Sequence, residues 1–161
     1  MTNEEIFAAI AIKTWNLAIG RLNQLHSSLT DEGLQTEVSP GRNRVYYIVG
    51  HLAAHHDRLI PLLGLGERLH PELDDIFIVN PDRTFQDEFS AANLRKALTE
   101  VNAKLTEAIS ALPAADLLER HTSVSEEEFA KEPLRNRLAA FEQRTAHAMF
   151  HAGQIRLVTK P

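Results

Sequence analysis

The chain has 161 residues, 43% of them hydrophobic, enough to bury a sizeable core as one domain over residues 1–161. A formal charge of -5 with Lys and Arg dispersed along the chain excludes a nucleic-acid surface, and the lack of cysteine excludes disulfides, thiolate ligands and a cysteine nucleophile. No apolar run nears the roughly 20 residues of a membrane span, and the acidic start Met1-Thr2-Asn3-Glu4-Glu5 lacks the positive region of a secretory leader, so a cytoplasmic location is expected.

Residues 3–28 read as a first helix, with Ile6, Ala9, Ile10, Ile12, Leu17, Ile19, Leu22 and Leu25 at mostly helical spacing and Trp15 as a buried anchor. Thr2 or Asn3 can cap it. Turn chemistry follows in Asp31-Glu32-Gly33 and Ser39-Pro40-Gly41. A second helix is predicted over residues 42–63, its stripe running Val45, Ile48, Val49, Leu52, Leu59, Ile60 and Leu63. His51 and His55 flank that stripe, and His56 falls inside it as a buried histidine.

Residues 65–89 form a connection with an apolar patch, Ile76-Phe77-Ile78-Val79. Antiparallel neighbours need only a short loop, so this length predicts a crossover along a bundle. A third helix is predicted over residues 90–112, with Leu94, Leu98, Val101, Leu105, Ala108, Ile109 and Leu112 on one face. The fourth is expected to have Pro133 in its first turn and a seam of Leu134, Leu138, Phe141, Thr145, Ala148, Ala152 and Ile155. The fold class expected is all-α, a four-helix bundle.

His147 and His151 in the fourth helix differ by about 40° in bearing and lie about 6 Å apart along the axis. Two neutral imidazoles so placed can share one metal ion, and they can equally be two partly exposed helical histidines. The spacing is H-x3-H without the Glu of H-E-x-x-H, which removes the metalloprotease base. If helices 2 and 4 run antiparallel, His51, about 13 Å below the start of helix 2, reaches the depth of His151 and His147, about 10 and about 16 Å from the end of helix 4. Three histidines with open positions describe a catalytic metal site, where a divalent ion (Zn, Ni or Fe) would activate water or ionise a thiol. His55 is a candidate fourth ligand or supporting group. His26, His70 and His121, near helix ends or in loops, carry no assignment.

Val49-Gly50-His51-Leu52-Ala53 together with His147-Ala148-Met149-Phe150-His151-Ala152-Gly153-Gln154-Ile155 resembles the DinB-like (damage-inducible) four-helix-bundle family. The resemblance implies an up-down-down-up bundle, a divalent metal held by His51, His147 and His151, and homodimers. Characterised relatives are thiol-dependent, among them transferases using bacillithiol or mycothiol and a mycothiol-dependent maleylpyruvate isomerase; others are classed only as metal-dependent hydrolases. The leading expectation is therefore a metal-dependent transferase joining a low-molecular-weight thiol, as co-substrate, to an electrophilic small molecule. Arg144, one turn before His147, is a candidate for an anionic group or a surface ion pair, and Gln154 for a hydrogen bond at the metal or for helix packing. The alternatives are a hydrolase, for which Glu100 is the only base nominated, and a non-catalytic bundle with a structural metal.

Overall fold

A computed structural model describes residues 1–159, and its regular structure among them is helical, with two isolated β-bridges and no strand. In chain order the helices are α1 (Asn3–Ser27), α2 (Asp31–Leu34), α3 (Val45–Leu62), α4 (Ala91–Ala111), α5 (Glu126–Lys131) and α6 (Arg137–Arg156). Short 3-10 turns occupy Pro71–Leu73 and Ala114–Leu118, and Asp75–Val79 forms a π-helical turn. The long helices α1, α3, α4 and α6 close on one another, α1 packing on α6 and α4, and α3 packing on the same two. Among the described residues no helix is long and apolar enough to cross a membrane.

The helices begin where the sequence supplies caps. Thr2 forms a capping box with Glu5 at α1, Ser90 accepts from the amide of Asn93 at α4, and Asn136 accepts from the amide of Ala139 at α6. At α3 the capping residue is Arg44, whose side chain makes no cap bond. Its amide donates instead to Asp82 Oδ2 at 2.8 Å, and its guanidinium pairs with Asp82 and Asp87. This ion cluster ties the start of α3 to the long connection before α4. Because Arg44 caps from outside the helix, α3 starts at Val45 and not at residue 42.

α3 is the most enclosed of these helices. Its predicted stripe is buried as expected, and so are Tyr46, Tyr47, Ala53 and Ala54, because the turns of the long connection cover a face that the stripe leaves free. The α4 face is buried at Leu94, Leu98, Val101, Leu105 and Ile109, as its spacing predicts.

Two expectations are corrected. On α1, Ile6, Ile10 and Leu17 lie exposed, while Ala8, Ala11, Trp15, Ala18, Ile19 and Leu22 face the core. Three alanines let the neighbouring helices approach and leave room for the ring of Trp15, which packs on His56 and Phe141 and donates to Thr106 Oγ1 at 2.8 Å. The larger aliphatics fall about 180° away. On the last helix, Pro133 and Leu134 precede the helical segment, and Leu134 is 77% exposed. Asn136 captures the first free amide, so α6 begins at Arg137.

Candidate metal centre

His51 comes from the middle of α3, and His147 and His151 come from successive turns of α6, which packs against α3. Their three Nε2 atoms converge. His147 Nε2 lies 3.3 Å from His51 Nε2 and 3.1 Å from His151 Nε2, and the three ligand atoms all fall within 4.8 Å of one another. Metal–nitrogen bonds of about 2.0–2.1 Å place neighbouring nitrogens about 3.3 Å apart in a tetrahedron and about 3.0 Å apart in an octahedron. The observed separations match that edge.

The protonation pattern shows how these rings could hold a cation. Nδ1 of His51 donates to the carbonyl oxygen of Phe77 at 2.7 Å, and Nδ1 of His151 donates to Oε1 of Gln154 at 2.7 Å. A carbonyl oxygen only accepts, so each Nδ1 carries the proton and each Nε2 presents a bare lone pair. These two lone pairs face His147, which as a neutral ring has one proton for both of its nitrogens. Nδ1 of His147 is buried without a hydrogen-bond partner. Protein groups alone leave this cluster short of protons, and one divalent ion among the three Nε2 atoms would satisfy it.

Charge supports the same reading. Burial, then the neighbouring histidines and Arg144, holds His147 down to about 3. Burial holds His151 at about 4 against the opposing bond to Gln154, and burial lowers His51 against the opposing bond to Phe77. All three are neutral at physiological pH, the form that ligates.

The supporting structure is built from the connection as much as from the helices. Gly50, just before His51, has the ring of Phe77 against it; a Cβ there would fall 2.5 Å from Phe77 Cδ1. Tyr47 fixes the same turn by donating to the carbonyl of Asn80 at 2.7 Å, and its ring stacks on His51 with centroids 5.9 Å apart. The sequence marks this turn only as an apolar run inside a loop.

His55 packs its ring on His51 and His147, with centroids 4.3 and 5.0 Å away, but is outside the convergent group. Gln154 stands against His151, as a hydrogen-bond acceptor for the imidazole. Arg144 is close enough to bear on His51, His55 and His147. Glu100 is engaged elsewhere, with His70 at 3.3 Å and Lys96 at 3.7 Å, and its charge is not among those that act on the three histidines. His56 is fully buried, 2.6 Å from Asn102 Oδ1. His26 is buried near the end of α1, and His121 contacts Ser123.

A family model described as the DinB superfamily matches residues 14–155. No curated protein matches the chain.

Proposed function

This chain belongs to the DinB superfamily, and from that premise we propose that it is a metal-dependent transferase joining a low-molecular-weight thiol to an electrophilic small molecule. The observation that carries the proposal is the convergence of three Nε2 atoms, those of His51 and His151 presenting lone pairs and each lying within 3.3 Å of His147 Nε2, close to the edge length of a metal polyhedron. When bound there, a divalent ion such as Zn, Ni or Fe would acidify a thiol or water at its open positions.

The protein groups divide the remaining tasks. Phe77 and Gln154 hold His51 and His151 in the tautomer that points Nε2 inward, as outer partners of metal-ligating histidines do. Tyr47, itself buried, stacks on His51 and limits water on that side, and Phe150 lies against His151 from the solvent side. A thiol brings its own nucleophile, whereas hydrolysis needs a protein base for water. Glu100, the one base nominated for the hydrolase alternative, is instead engaged by His70 and Lys96, which favours the thiol reading.

The resemblance also implies an up-down-down-up bundle, with the long connection as its crossover, and a homodimer in the cytoplasm. The exposed aliphatic stripe of Ile6, Ile10 and Leu17 on α1 supports pairing with a second copy.

Metal analysis and kinetics test the function together. The purified protein is expected to hold about one equivalent of divalent metal per chain. With a thiol and a haloaromatic electrophile it should turn over faster than His151→Ala. Equal rates count against the transferase, and metal content below half an equivalent that His147→Ala leaves unchanged supports a non-catalytic bundle instead. Ester turnover without thiol would favour the hydrolase.

A further inference from the structure

Arg144 stands on α6 one turn before His147 and about 60° around the helix from it. Its Nε is fully buried with no hydrogen-bond partner, and among the described residues no carboxylate pairs with its guanidinium. A guanidinium keeps its proton and presents five donors, so burying the Nε of this half-buried side chain without a partner opposes folding. The neighbourhood offers no relief. With these rings neutral, the cations that act on His51, His55 and His147 are Arg144 and Arg58. Arg58 is satisfied by Asp74 at 2.7 Å and adds its own repulsion to Arg144. This local positive excess sits in a chain of formal charge -5, so it belongs to the site and not to the composition. A divalent ion on the three imidazoles would add to the excess.

We propose that the histidine cluster takes a small molecule bearing a carboxylate, which pairs with Arg144 while another donor of the same molecule reaches the three Nε2 atoms. The second anchor rests on the metal reading above; the first, Arg144, stands without it. A planar carboxylate matches the guanidinium fork with two parallel hydrogen bonds. Formed where water is partly excluded, such a pair is worth about tenfold or more in affinity. The carboxylate belongs to whichever substrate binds first, thiol or electrophile, and a thiol that carries one reports on both anchors together.

Isothermal titration of the full chain, zinc-loaded and separately chelator-stripped, tests this with 3-mercaptopropionate against 2-mercaptoethanol, which lacks the carboxylate. The zinc-loaded protein should bind the carboxylate-bearing thiol at least about tenfold more tightly. Arg144→Gln should bring the two within about threefold, and Arg144→Lys should keep an intermediate preference. The stripped protein should still bind propionate, and lose it in Arg144→Gln. Equal affinity of the wild type for the two thiols, or a preference that survives Arg144→Gln, overturns the proposal. Zinc content of each sample separates the two ideas. A wild type that takes up no zinc sinks the metal reading, and propionate binding to the stripped protein then decides for or against Arg144.

Discussion

The ring of Phe77 occupies the space where any side chain at residue 50 would begin, 2.5 Å from the position of a Cβ on Gly50. The carbonyl of the same Phe77 takes the Nδ1 proton of His51, the next residue along α3. The glycine before the histidine is therefore a condition for orienting that histidine: only a bare helix surface lets the π-helical turn close far enough for its carbonyl to reach the ring.

Gly50→Ala should separate the two. Phe77 is fully buried and has nowhere to retreat, so the added methyl is expected to destabilise the chain by about 1–3 kcal/mol. Loss of the Phe77 contact should also weaken divalent-metal affinity about tenfold. Thermal melts and competition with a chromophoric chelator measure the two effects. A variant that melts like the wild type would show that the turn is free to move.

Gln154 is expected to matter through His151 alone. Gln154→Ala removes the acceptor that fixes the ring's tautomer, which should weaken metal binding about 10- to 100-fold with little change in fold. Gln154→Glu keeps an acceptor and should retain affinity. Chelator competition on both variants gives the answer, and equal affinities for alanine and glutamate at this position would remove Gln154 from the site.

Acid should destabilise the metal-free protein. Histidines in the unfolded chain protonate near pH 6.5, whereas burial keeps His26 neutral down to about 4 and His56 down to about 3. Between these limits the unfolded chain binds more protons, so stability present above pH 6.5 is lost as pH falls. Each group should forfeit about 2 kcal/mol by pH 5. Urea unfolding in chelator at pH 7, 6 and 5 measures this, and His26→Gln should flatten part of the slope. Equal stability at pH 7 and pH 5 would contradict the burial of these rings as neutral groups.

Arg144 is half-buried, and its Nε is shut away from water without a partner. Because its charge is unpaired, Arg144→Met should raise stability by about 1 kcal/mol, or about 2–4 °C in melting temperature, in protein free of ligand. Scanning calorimetry without added anions checks this. A fall of similar size would show that the side chain serves packing.

Periodicity and capping residues made the long helices readable from the sequence, and the faces of α3 and α4 followed from their apolar spacing. The pairing of His147 with His151 was equally legible, since four residues on a helix place two side chains on one face whatever surrounds it. Local rules failed where the partner decided the outcome. On α1 the larger aliphatics suggested the inner face, but close helix packing selected Ala8, Ala11 and Ala18 around Trp15 and left Ile10 57% exposed. The depth of His51 beside the other pair was legible once the two helices were taken as antiparallel, but the capture of its Nδ1 by the Phe77 carbonyl and the unpaired Nε of Arg144 depend on surroundings distant along the chain. Spacing along a helix determines bearing, whereas distance and desolvation between helices come only from packing.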